Sequence, residues 1–259
     1  MQFEGGQFLI DSRTVEKGRE GGETEQCYWS TPDGVSASFG HGAAGVCLFL
    51  LYLYLATGKD EYLKVGRQGI AWILEQGRLN ADGGLTWVAR NRTPSYTPYW
   101  RWGSSGIGRV LLRYWRVTGD GLYGERINDI HIDCDRKYTI FPGYFFGLAG
   151  IVEFYMDLAR FPEWEEKAME SAKKLLAGSL LFQIERSGGL AFPGESLNRI
   201  SCDFGTGGAG IALVMNRYLT RCGSSFMVDE LVPGWARCDS PRTIAGLGAF
   251  STLVHADGS

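Results

Sequence analysis

The chain has 259 residues, 44% of them hydrophobic and 21% charged, with a formal net charge of −3. Such a composition belongs to a folded globular chain long enough to build a core of its own, not to a disordered one. The lack of a basic excess argues against a nucleic-acid or anionic-membrane binder. There are 37 glycines, about 14% of the chain against a usual ~7%. They follow no every-third-residue period, which excludes collagen, and imply repeated tight turns or close backbone approaches.

In chain order, the opening MQFEGGQFLIDS has neither the basic nor the apolar region of a signal peptide. The longest apolar run, Val46 to Ala56, is too short to span a bilayer. Cysteines stand at 27, 47, 134, 202, 222 and 238 with no CxxC pair, so a reduced, cytoplasmic protein is expected.

The main signal is an internal repeat. FGHGAAGVCLFLLYLYLATGKD (39–60) recurs in form as RWGSSGIGRVLLRYWRVTGD (101–120), FFGLAGIVEFYMDLARF (145–161) and FGTGGAGIALVMNRYL (204–219). Each carries aromatic residues and then Gly-x-(Ala/Ser)-Gly-(Ile/Val), followed by about a dozen mostly apolar positions. The leading glycines, Gly42, Gly103, Gly147 and Gly207, stand 61, 44 and 60 residues apart, a period suited to one helical hairpin and a loop. The helices after each GxxG are apolar almost all round, as buried helices are. Between them, 61–76 (Tyr62, Val65, Ile70, Ile73) and 163–182 (Trp164, Ala168, Ala172, Leu175, Leu176, Ser179, Leu180) read as amphipathic outer helices. Short extended turns are expected at 82–87 and 187–192, where glycine pairs precede β-leaning residues. Buried inner helices alternating with half-exposed outer ones predict an all-α fold, an α/α toroid of helical hairpins, whole or partial. GxxG is expected where inner-helix N-termini converge, their free N–H groups and positive dipole ends facing a common cavity. His41, Trp102, Phe146 and Thr206, each just before a leading glycine, would line it. His131-Ile132-Asp133-Cys134-Asp135 reads as a solvated strand or loop, and Asp203-Phe204-Gly205 as the lead-in to the fourth inner helix.

The strings Gly40-His41-Gly42-Ala43-Ala44-Gly45, Trp100-Arg101-Trp102-Gly103-Ser104-Ser105-Gly106 and Phe145-Phe146-Gly147-Leu148-Ala149-Gly150 resemble the lanthionine cyclase (LanC-like) family over roughly 39–219. The resemblance implies an α/α toroid that adds a peptide cysteine thiol to dehydroalanine or dehydrobutyrine and so closes a thioether ring. In that family a zinc ion is held by the Cys of a Trp-Cys-x-Gly motif and by a Cys-His-Gly motif. Here Arg101, Phe145 and Phe146 stand at those ligand positions, and neither a guanidinium nor a phenyl ring ligates zinc. No metal and no cofactor is therefore expected. The pattern is similar to the zinc-free cyclase domains of three-domain, class III lanthipeptide synthetases, as are the Cys202–Gly207 run and the Met227–Pro233 tail. Residues 1–259 would then be a single cyclase domain, either on its own or as the C-terminal part of a longer synthetase. Its partners would be a precursor peptide and the lyase and kinase domains, fused or separate.

His41 matches the family's HGxxG histidine, implied to transfer a proton at the enolate, and Arg101 could replace the positive charge of zinc. Trp100, Trp102, Phe145 and Phe146, if open to the cavity, would give an apolar floor for a flexible peptide. Asp203 and Thr206 complete the substrate-binding candidates. A helix-start histidine, a loop arginine and core aromatics are the plainer readings of the same residues. Two other functions compete: a non-catalytic peptide-holding scaffold, and an α/α-toroid glycosidase using two of Asp33, Asp82, Glu153 and Asp203.

Overall fold

The computed structural model describes residues 4–18, 25–32, 34–88, 96–136, 139–221 and 226–235. These form two compact units, one from the described residues between 4 and 135 with 226–235, the other from those between 136 and 221.

The first unit opens with helix α1 (Glu4–Asp11) and two small antiparallel hairpins, β1 (Thr14–Lys17) with β2 (Glu25–Tyr28), and β3 (Ser30–Thr31) with β4 (Gly34–Val35). Two helical hairpins follow. Inner α2 (Ala43–Thr57) turns into outer α3 (Asp60–Gln76), and inner α4 (Ser104–Thr118) into outer α5 (Gly121–Cys134), with β5 (Arg78–Leu79) and β6 (Leu85–Thr86) pairing between them. The two hairpin turns share one chemistry. Gly58 and Gly119 take left-handed φ values of 69° and 68° and donate their N–H to Tyr54 and Trp115, as a helix C-terminus favours. An acidic residue then starts the outer helix. Asp120 accepts from the Leu122 N–H, and Asp60 and Glu61 occupy the positive first turn of α3.

The second unit repeats the plan. Inner α6 (Leu148–Leu158) leads through a 3₁₀ turn at Pro162–Trp164 into outer α7 (Glu165–Leu180). The hairpin β7 (Ile184–Arg186) with β8 (Gly189–Ala191) then precedes inner α8 (Gly208–Thr220). The all-α, helical-hairpin fold class is as expected. Leu48, Leu50, Leu51, Ile107, Leu111, Leu112, Ile151 and Val152 are almost entirely buried on the inner helices, each leucine or isoleucine contributing about 1.5–3 kcal/mol by leaving water.

Two expectations need correction. The 131–135 stretch is the end of α5 rather than a solvated strand, with His131 and Asp133 buried. Its polar character comes from a buried cluster in which Asp133 accepts from Asn80 (3.0 Å) and from the Ser104 hydroxyl. Further, α8 is not buried all round. Gly210, Ile211, Val214 and Met215 are covered, whereas Ala212 and Asn216 are exposed.

Candidate active site

Each inner helix begins at a glycine N-cap with no side-chain cap: Gly42, Gly103, Gly147 and Gly207. The main reason for glycine lies inside each repeat; the expected close approach of the neighbouring repeat adds to it, since a Cβ at Gly106 or Gly210 would lie 2.9 or 3.0 Å from Cβ of Phe39 or Tyr144. A Cβ on each leading glycine would meet the carbonyl oxygen six residues earlier in its own turn: Ser36 at 2.2 Å, Thr97 at 1.7 Å, Phe141 at 2.2 Å and Ser201 at 2.4 Å. The second glycine does the same: a Cβ at Gly45, Gly106 or Gly210 would lie 2.5, 1.9 or 2.1 Å from the oxygens of Phe39, Trp100 and Phe204. GxxG therefore lets the chain fold back onto its own helix start. Some of the expected free N–H groups are accordingly taken. Ala43, Leu148 and Gly208 donate to Ser36, Phe141 and Ser201 (2.9, 3.1 and 2.8 Å), and Ser105 and Ala149 to Pro98 and Pro142 (both 3.2 Å). Turn carbonyls thus hold part of the positive helix end that was expected to await an anion.

The turns then pair. Three positions before the leading glycine every repeat has an aromatic residue: Phe39, Trp100, Tyr144 and Phe204. Phe39 packs on Trp100 with centroids 4.6 Å apart, and Tyr144 on Phe204 at 4.7 Å. This signal was present in the sequence and went unread as a contact.

In the first unit the paired turns bring His41, Arg101 and Trp102 together. Arg101 donates through Nε to His41 Nε2 at 2.9 Å, and a second guanidinium nitrogen lies against the same atom. The Trp102 ring stacks on the imidazole, 4.5 Å between centroids and 9° from parallel, with the Arg101 guanidinium 5.4 Å from its centroid. All three are half-buried. Because a guanidinium only donates, this contact has Arg101 as donor and His41 Nε2 as acceptor. Trp100 is buried in the aromatic layer beneath.

In the second unit Phe145 and Phe146 are half-buried and edge-on to each other at 6.4 Å, and Phe204 stands 6.0 Å from Phe145. Asp203 accepts from the Ser201 hydroxyl (2.5 Å), the Thr206 N–H (2.7 Å) and the Thr206 hydroxyl (2.9 Å). The Ser201 hydroxyl first, then the bonds from Thr206 and Gly207, pull its carboxyl down to about 2. Asp203 and Thr206 thus brace the turn into α8, as read for Asp203-Phe204-Gly205.

A family model described as lanthionine synthetase C-like protein matches residues 6–227. The chain belongs to that family. It is 30% identical over 176 residues to the probable SapB synthase of Streptomyces coelicolor, an alignment covering 68% of this chain and 18% of that protein. The chain thus spans less than a fifth of the length of the relative it matches.

The zinc implied for the family does not fit these residues. Arg101 turns N–H donors, not a lone pair, toward His41, and Phe145 and Phe146 bring carbon to the other two ligand positions. Among the described residues no three His, Cys, Asp or Glu side chains stand close enough to hold a metal ion, and no helix is long and apolar enough to cross a membrane. His255, Cys222, Cys238 and Asp33 lie outside the described residues. Two of the described carboxylates of the glycosidase reading are engaged elsewhere. Glu153 is buried in an ion pair with Arg217, Asp203 serves its turn, and Asp82 is exposed beside the β5–β6 hairpin. A groove of about 730 Å³ between α3 and α5, lined by Leu63, Leu74, Leu122 and Tyr123, contains none of the repeat-turn residues.

Proposed function

We propose that the chain is a lanthipeptide cyclase domain closing (methyl)lanthionine or labionin rings without zinc, in the manner of class III synthetases. In this reading it is cytoplasmic and acts on a precursor peptide dehydrated by lyase and kinase domains. The observation that carries the reading is the Arg101–His41 contact, stacked on Trp102, at the family's histidine and first-ligand positions.

Ring closure moves one proton overall. The thiol loses its proton, sulfur bonds to Cβ of the dehydro residue, the C=C electrons form an enolate, and Cα gains a proton; for a labionin that Cα instead bonds to Cβ of a second dehydroalanine, and the proton goes to the second residue's Cα. A neutral imidazole is suited to both transfers: Nε2 accepts the thiol proton, and the imidazolium returns it to Cα. Arg101 supplies a fixed positive charge for the thiolate and then for the enolate oxygen, exchanging its contact with Nε2 for the anion as substrate enters. Trp102 keeps the imidazole plane fixed during the exchange. Phe145 and Phe146, in the second unit, offer apolar surface to the peptide.

The deciding experiment is ring closure of a synthetic peptide containing one dehydroalanine and one cysteine, followed by mass spectrometry after thiol alkylation. His41→Ala should slow closure by about 10²–10⁴, the usual worth of a general acid–base group. Wild-type closure by that variant would leave the peptide-holding scaffold as the function, a reading favoured by the aromatic surface of Phe145, Phe146 and Phe204.

A further inference from the structure

The segment 226–235 returns to the first unit through a buried network. Arg113 and Asp229 have side-chain exposures of 1% and 0% and form a bidentate pair, Nε to Oδ1 at 2.7 Å and Nη2 to Oδ2 at 2.5 Å. The Tyr52 hydroxyl donates to Asp229 Oδ1 at 2.7 Å, and the Phe226 N–H donates to Oδ2 at 2.9 Å. The Arg113 guanidinium also lies over the fully buried Trp235 ring, 4.7 Å from its centroid. Removing one partner would leave an uncompensated charge in the core, so the segment is held firmly to α2 and α4.

This anchor places one side chain against the site. The Phe226 ring packs edge-on to Phe39 (5.7 Å) and to Trp100 (6.0 Å), with the Arg109 guanidinium 5.1 Å from its centroid. Phe39 lies two residues before His41, and Trp100 immediately precedes Arg101. The third ring therefore touches both rings whose backbones carry the His41–Arg101 pair.

We propose that Phe226, held by the Asp229–Arg113 pair, is a positioning residue that sets the geometry of His41 against Arg101. The inference rests on the catalytic reading of that pair for its effect on rate. The placement itself does not, since it can be read from the histidine ring directly. Interior packing shifts as discrete rearrangements, and a misplacement of about 1 Å can cost up to ~10²-fold in rate.

The test uses the full 259-residue chain with ¹⁵N-labelled histidine, the His41 signals assigned by their loss in His41→Ala. Phe226→Leu removes the ring, Phe226→Tyr keeps it, and Ile73→Val, a small core change in α3, controls for general loosening. The expected result is that Phe226→Leu shifts the His41 ring resonances and lowers kcat on the synthetic dehydroalanine–cysteine peptide about 10- to 100-fold. KM should change less than kcat, and Phe226→Tyr and Ile73→Val should keep wild-type resonances and rate. Unchanged His41 resonances in Phe226→Leu would overturn the proposal. So would shifted resonances with unchanged kcat, provided that His41→Ala is impaired. If His41→Ala cyclises normally, the catalytic reading fails, and the resonances alone decide whether Phe226 places the ring.

Discussion

The backbone N–H of Gly40 donates to the carbonyl of Arg101 at 2.9 Å, and the same bond recurs in the second unit from Phe145 to Gly205 at 2.7 Å. Both bonds join positions two residues before a leading glycine. In each pair a glycine faces a large side chain: a Cβ on Gly40 would lie 2.6 Å from Arg101 Cγ, and one on Gly205 would lie 2.6 Å from the Phe145 ring. The Arg101 backbone is therefore fixed by a bond that does not depend on its side chain.

It follows that Arg101→Ala should fold with nearly the wild-type melting temperature and still lose ring closure. Arg101 is half-buried and its backbone bond survives, so the stability change should stay within about 1 kcal/mol. Loss of a preorganised charge at a developing anion should cost about 10²–10³ in kcat. Arg101→Lys keeps a charge but not the planar fork that meets His41 twice, and should recover only part of the rate. Calorimetry and single-turnover cyclisation separate the two effects. A large drop in melting temperature would show that the guanidinium is structural.

Metal content gives an independent check. With Arg101, Phe145 and Phe146 at the positions where the family holds zinc, purified protein should contain far less than one zinc per chain. A chelator should leave its melting temperature unchanged. Near-equimolar zinc by elemental analysis would contradict the zinc-free reading of the site.

Much of the fold was legible because GxxG and the apolar runs after it are local patterns. What the glycines do inside their own turn was not legible, since the carbonyl that excludes a Cβ at Gly103 belongs to Thr97, and sequence shows the spacing without the reversal. Helix α5 was missed because Asp133 looks solvated until Asn80, 53 residues away, is seen to bond it. The His41–Arg101 pair was expected from a resemblance, but its geometry was not. Segment 226–235 had a recognisable run of residues and no visible role, because Arg113 lies 116 residues from Asp229.

Thiol reactivity should divide sharply. Burial pushes the Cys27 thiol up to about 12 and Cys47 well above its ordinary value, whereas Cys202 is exposed. In native protein an alkylating reagent should modify Cys202 and spare Cys27 and Cys47, as peptide mapping would show, because the thiolate is the reactive form. The same burial makes a pH prediction. A thiol whose folded pKa is raised stabilises the fold fully below its unfolded value, near 8.5–9, and the contribution is lost as pH rises toward the folded value. Stability should therefore fall between about pH 9 and 12. Denaturant midpoints flat across that range would contradict it.

The glycines offer the sharpest contrast in stability. At Gly103 a Cβ would sit 1.7 Å from Thr97 O and 2.8 Å from the Tyr99 nitrogen, both backbone atoms, so no side chain can swing away to relieve the clash. Gly103→Ala must open the turn, breaking the Ser105 N–H bond to Pro98 and displacing Arg101, two residues earlier. Its cost should reach or exceed the top of the about 1–3 kcal/mol range for overpacking, and ring closure should fail with it. Gly121, the first residue of α5, has nothing within 4 Å of an added Cβ and no left-handed φ. Gly121→Ala should stabilise the protein by about 0.4–1 kcal/mol, mainly by restricting the unfolded chain, and leave cyclisation unchanged. Denaturant melts of the two variants should move in opposite directions. A Gly103→Ala protein with wild-type stability would show that the turn relaxes freely, and that the glycine is not what holds Arg101 in place.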